Sequence, residues 1–257
     1  MSQGILYILI ILVVVLLFML IYVALLKHKK RLHYQFLIII VELLIYMIAV
    51  ICCGFYDDSE MFVYIDNFTY LGAAFIPVSL IMLGFAYRKD HSASLGRQWL
   101  LFIVPVITMV IIFTNDYHHL FYASYTVEGG YVAGPYFYIY ALYSYVCMIS
   151  GMVMLSYYAI KSSGVLSIQA ILIVVGSLLP AVVNVCYTIG VPGFSYSSTP
   201  IAFTVTIAMY LLGMMRFNLL KVTPIALQTV IDRISDCFVV VDRSYNVLGY
   251  NRAFDDR

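Results

Sequence analysis

Charge is what this sequence has least of. Only 11% of its 257 residues are Asp, Glu, Lys or Arg, against 64% hydrophobic, less than half the roughly 25% charge of a soluble globular domain. That balance excludes a water-soluble fold. A net charge of +1 supplies no basic surface for nucleic acid, so no nucleic-acid partner is expected. Cysteine is sparse as well. Cys52, Cys53, Cys147, Cys186 and Cys237 form no C-x-x-C pair and no Cys/His ligand spacing, so neither a structural metal nor a cofactor is expected. If any disulfide forms, Cys52 and Cys186, both towards one side of the bundle, are the candidates. A basic n-region is also missing. Ile5–Leu26 is apolar from its start, longer than the about 7–15 residues of a signal-peptide core, and its basic cluster follows it. It reads as a first membrane helix.

Long apolar runs are what the chain has in their place. A helix needs about 20 apolar residues to cross the hydrocarbon, and seven runs approach that: Ile5–Leu26, Tyr34–Cys53, Phe62–Tyr87, Trp99–Phe113, Tyr136–Ile160, Ser167–Ile189 and Pro200–Met215. The fourth and seventh are short and are expected to extend a turn into their flanks. Basic residues then set the orientation, because they stay on the cytoplasmic side. Lys27, Lys29, Lys30 and Arg31 follow the first run, and Arg88, Lys89 and Arg97 the third. Lys161 follows the fifth, and Arg216, Lys221, Arg233, Arg243, Arg252 and Arg257 lie beyond the seventh. These are all fourteen Lys and Arg residues. The opposite loops carry Asp57, Asp58, Glu60, Asp116 and Glu128. The expected fold class is therefore an all-α membrane protein, a seven-transmembrane bundle with its N-terminus outside and its C-terminus in the cytoplasm.

The longest outer segment, about 116–135, contains FYASYTVEGGYVAG (Phe121–Gly134). β-Branched and aromatic residues around Glu128-Gly129-Gly130 predict a hairpin with a glycine turn, lying over the bundle mouth. Past Met215 the pattern changes. Leu227, Ile231 and Ile234 recur at helical spacing after Pro224, predicting an amphipathic linker helix over 217–235. Cys237–Val241 and Val247–Tyr250 predict two strands joined by a polar turn, and Asn251 suits a helix N-cap. Two strands bury too little alone, so 236–257 reads as the front of a larger module.

Several residues are candidates for binding. Glu42 falls near mid-membrane, where a carboxylate costs roughly 2.5–3.5 kcal/mol on insertion scales; it must face the bundle and find a Tyr, Ser or Asn. It is either a structural inter-helix bond or a pocket residue. Asn115, His118 and His119 lie at the outer boundary. There they either bond the hairpin backbone or touch a ligand; adjacent histidines on a regular helix cannot share one metal ion. Tyr136, Tyr140 and Tyr143 form a stripe at i, i+4, i+7 along the fifth span, with the deeper hydroxyls needing partners. Tyr122 and Asn184 complete the candidate ligand set. Pro77, Pro105 and Pro180 interrupt three spans, and their kinks either open a cavity or are packing. Asp66 and Asn67 are expected at a solvated helix end.

Two stretches carry a resemblance. TNDYHHLFY (Thr114–Tyr122), followed by an EGG-containing loop, resembles the histidine-kinase N-terminal seven-transmembrane sensor region over about residues 1–220, with the sensor domain itself expected at 1–216. IDRISDCFVVVDRSYNVLGYNRAF (Ile231–Phe254) resembles the opening of a PAS domain. The resemblance implies a multi-pass sensor in the bacterial inner membrane, non-enzymatic in itself. It would detect a small ligand or peptide and pass the signal through a PAS module to an output not present here, a histidine kinase or a diguanylate cyclase. The linker is expected to pair with its twin in a homodimer, and the lipid bilayer is the other partner. The rivals fail at the residues. A retinal pump needs a Lys in the seventh span, and Pro200–Met215 has none. A transporter with Glu42 as proton site remains the alternative, although no internal repeat supports it.

Overall fold

In lipid every backbone N–H and C=O must be satisfied within the chain, and a helix does this segment by segment. The computed structural model describes residues 3–26, 29, 31–56, 59–87, 98–126, 130–161, 165–194, 198–216, 239–241 and 247–250. Among the described residues six helices are long and apolar enough to cross a membrane. The elements are α1 (Gln3–Ala24), α2 (Arg31–Cys53), α3 (Ser59–Ala73), α4 (Ile76–Ala86), a 3-10 turn (Trp99–Phe102) leading into α5 (Ile103–Phe113), and the single-turn α6 (Asn115–His118). The hairpin β1 (Tyr122–Thr126) and β2 (Gly130–Ala133) follows, then α7 (Pro135–Lys161), α8 (Val165–Thr188), α9 (Ser198–Arg216), β3 (Val239–Val241) and β4 (Val247–Tyr250).

The fourth apolar run departs from expectation. Trp99–Phe113 is a shorter apolar helix; it starts as a 3-10 turn and is interrupted after Phe113 by Thr114, so α6 does not continue it. Fifteen residues rise roughly 22 Å, short of the ~30 Å hydrocarbon. The third run is broken as well. α3 and α4 make one crossing, Met61–Ala86, with a turn at Ala74 and Phe75 just before Pro77. Proline lacks the N–H of the helical ladder and its ring crowds the carbonyl four residues back, which is Ala73.

α2 lies at the centre of one side, packed on α1, α3 and α4. α4 packs on α7, α7 on α8, α8 on α9, and α9 returns to α1, closing a ring; α5 sits outside it against α3 and α7. The buried face of α1 is Leu9, Leu12, Leu16, Met19 and Val23, steps of three, four, three and four residues that keep one stripe on the neighbour. Its other faces, with Ile11, Val14, Phe18 and Ile21, are exposed and apolar, as lipid requires. Phe36 against Tyr210 and Tyr46 against Phe203, ring centroids 5.4 and 5.3 Å apart, tie α2 to α9 across the ring. Gly72 lets α3 approach α2: a Cβ there would strike the Glu42 carbonyl and come within 2.8 Å of the Tyr46 Cβ.

β1 and β2 pair antiparallel with Tyr125 opposite Tyr131 and a bulge between Tyr122 and Ser124. β3 and β4 form a second antiparallel pair, Val239 opposite Tyr250. The linker expected over 217–235, with Pro224, Leu227, Ile231 and Ile234, lies outside the described residues, as do the hairpin tip 127–129 and the N-cap Asn251.

Candidate functional site

The helix ring encloses a cavity in two joined chambers. The inner one, about 130 Å³, is walled mainly by apolar side chains of α2, α4, α7, α8 and α9, among them Leu43, Leu80, Met148 and Phe203. The chamber at the hairpin end, about 120 Å³, is lined by α3, α7, α8 and both hairpin strands. Tyr46, Ala73, Tyr140, Ser144, Tyr145, Asn184 and Thr199 line both and mark the passage between them. Two of the three prolines explain the space. Pro77 and Pro180 line the inner chamber, where a broken ladder lets helices part.

The hairpin roofs the upper chamber because of what holds its base. Asn115 Oδ1 accepts the backbone N–H groups of Phe121 and Tyr122 at 2.9 and 3.0 Å, and its amide donates to the Tyr122 carbonyl at 3.1 Å. His118 is used the same way: Thr114 Oγ1 lies 3.0 Å from its Nε2, and the Leu120 N–H donates to its Nδ1 at 3.0 Å. His119 is exposed and left-handed, φ +50°, ending α6. At Gly134 the chain passes so close to the Leu120 carbonyl that a Cβ would collide with it. The Asn115 and His118 bonds turn the chain from α5 into β1, and the N–H groups of Gly134 and Tyr136, donating to the Phe121 and Leu120 carbonyls at 2.7 and 2.9 Å, turn it from β2 into α7.

Asp66 ties the roof to the wall. It was expected at a solvated end, yet it is 4% exposed and Asn67 6%, because the hairpin folds back over α3. The Tyr125 hydroxyl donates to Asp66 Oδ2 at 2.7 Å. Burial first, and then the Asp66 carboxylate, hold the Tyr125 hydroxyl well above the usual phenol range, so it stays a donor. Burial, followed by the neighbouring Tyr187, does the same for Tyr131.

The expected binding residues separate into groups. Tyr140 and Asn184 line both chambers. Asn184 Oδ1 accepts the Tyr145 hydroxyl at 3.1 Å, and Thr188 Oγ1 accepts it at 3.0 Å. Tyr136 and Tyr143 face away from the cavity: the Tyr136 hydroxyl lies 3.1 Å from Thr108 Oγ1, and Tyr143 donates to the Leu101 carbonyl at 2.6 Å, both towards the short fourth helix. Tyr122 is buried in the aromatic cluster with Phe121 and Tyr131, ring centroids 4.8 and 5.5 Å away. Glu42 is buried off the cavity; its Oε1 accepts the Ser79 hydroxyl at 2.6 Å, and Oε2 has no hydrogen-bond partner among the described residues. Asn115, His118 and His119 serve the hairpin base rather than the chamber.

Sequence reasoning missed Tyr46, Asp66, Tyr70, Tyr125, Tyr131, Tyr145 and Tyr187, all of which line the hairpin-end chamber. The signal was faint: 24 tyrosines in the chain, more than two interfacial belts need. Among the described residues no group of His, Cys, Asp and Glu could hold a metal ion.

No curated protein and no solved structure matches the chain. The profile of the N-terminal 7TM region of histidine kinase matches residues 8–224. That span covers every long helix, the hairpin and the cavity between them, and the chain therefore belongs to the N-terminal seven-transmembrane family of histidine kinases, a non-catalytic membrane sensor region.

Proposed function

We propose that the two-chamber cavity is the sensory site and that its occupancy is passed through α9 to a cytoplasmic output. The observation that carries this reading is the cavity roofed by a separately held hairpin and walled on one side by α9, through Thr199, Phe203, Thr206 and Tyr210. α9 is also the helix that leads into the linker. A ligand entering beneath the hairpin would touch α3, α7, α8 and α9 together. It can bias their arrangement only by binding one state better than another.

The finer assignments rest on sequence pattern. The one-sided distribution of Lys and Arg supports a topology with the hairpin outside, the C-terminus in the cytoplasm and the short fourth helix as a seventh crossing. The β3–β4 pair supports a PAS-type module after the linker, and a histidine kinase is the output the family favours. Leu227, Ile231 and Ile234, spaced by four and three residues, suit a parallel helix pair in a homodimer. Glu42, the residue a proton-coupled transporter would use, sits off the cavity.

Insertions between Gln228 and Thr229 in the full-length protein test transmission. One residue turns the helix by about 100° and should lock autophosphorylation high or low; seven residues restore the phase and the regulated level. If the two insertions behave alike, the linker is a passive tether and this mechanism is wrong.

A further inference from the structure

The hairpin-end chamber has an unusual lining. Among the described residues sixteen line it: seven are tyrosines, one is a phenylalanine and one is Asp66, and none of these sixteen is Lys, Arg or His. Asp66 is 4% exposed, so its carboxylate acts through a water-poor, aromatic space. Aromatic rings present a negative face, and a cation within about 6 Å of a ring centroid is attracted to it, more strongly when desolvated. Tyr131 lies between Tyr125 and Tyr187, with centroids 6.1 and 6.4 Å away, so rings from the hairpin and from α8 flank one space. An anion would meet the carboxylate and ring faces of the same sign. At the floor, Ser144, Asn184 and Thr199 add short polar groups.

We propose that this chamber binds a small organic ammonium ion, caged by tyrosine rings against the Asp66 carboxylate. The proposal rests on reading the cavity as the sensory site, and names the chemistry of what enters it. Size agrees. A cavity of about 150 Å³ accommodates a benzene-sized molecule, and this chamber of about 120 Å³ fits a group such as trimethylammonium with its tail in the passage below. Asp66 and the Tyr125 hydroxyl would then hold the roof over the bound ion.

Calorimetry on the chain in maltoside micelles tests this with choline and with the uncharged alcohol in which carbon replaces choline's nitrogen. The expected result is choline binding about tenfold or more tighter than its isostere. Asp66→Asn, which keeps an acceptor for Tyr125 and leaves the rings in place, should cut that preference at least severalfold without lowering the melting temperature. Equal affinities, no choline binding, or a preference undiminished in Asp66→Asn would overturn the proposal. Should Asp66→Asn fail to fold, Tyr187→Leu decides: choline affinity must fall while the isostere's holds, and unchanged choline affinity overturns it. Isostere binding without preference removes the ammonium assignment but leaves the sensory reading standing, since that reading is judged by kinase output.

Discussion

The phenol of Tyr125 donates to Asp66 Oδ2 at 2.7 Å, linking the hairpin to a helix 59 residues earlier in the chain. This bond joins the roof of the cavity to its wall, so its loss should free the roof before it unfolds the bundle. Tyr125→Phe keeps the ring contacts, 6.3 Å to Phe62 and 4.9 Å to Tyr122, and removes only the hydroxyl. The expected cost is about 1.5–3 kcal/mol for a hydrogen bond to a charged group. It should be read locally, as faster amide hydrogen exchange across Tyr122–Ala133 with little change in α2 or α9. Uniform protection in wild type and variant would show the bond to be idle.

Glu42 and Ser79 make the corresponding bond between α2 and α4, at 2.6 Å and with Ser79 fully buried. Glu42→Gln keeps an oxygen facing the hydroxyl and should express and melt near wild type. Glu42→Leu strands a buried hydroxyl and should lose about 1–3 kcal/mol, seen as a lower melting temperature in detergent. Equal melting of the two variants at the wild-type value would show that the pair contributes nothing to helix packing.

Orientation has its own test. Alkaline phosphatase fused after Val132, in the second hairpin strand, should be active, because the enzyme folds only outside the cytoplasm. Fusions after Ala93 or Lys161 should be inactive. Activity at Ala93 would reverse the bundle and put the cavity mouth on the wrong side for an external ligand.

Much of this architecture was legible because hydropathy and turn chemistry are local signals. The runs that became α1, α2, α7, α8 and α9 needed only their own composition, and Glu128-Gly129-Gly130 marked the hairpin between Tyr122 and Ala133. The site was legible only in part because it depends on folding back. Asp66 looked like a helix end until Tyr125 was laid over it. The stripe Tyr136, Tyr140, Tyr143 shares one broad face, yet at about 100° per residue Tyr140 stands some 40° from Tyr136 and some 60° from Tyr143, on the side of Ser144. That offset puts Tyr140 on the cavity and leaves Tyr136 and Tyr143 on the short fourth helix. The histidines take up the hairpin-base role for a local reason. His118 carries the bonds that end α6, and His119 supplies the left-handed turn; neither demand is visible in residue type.

If the state of the cavity sets the output, filling the cavity must change that output. Ser144 lines both chambers and is 8% exposed; Leu142, two residues away on α7, is 68% exposed and faces outward. Autophosphorylation of the full-length protein should shift by about fivefold or more with Ser144→Trp, the smaller end of ordinary coupling between sites. Leu142→Trp, melting at the same temperature, should leave it at the wild-type level. Equal output from Ser144→Trp, Leu142→Trp and wild type, with all three folded, would show that the cavity does not set the output.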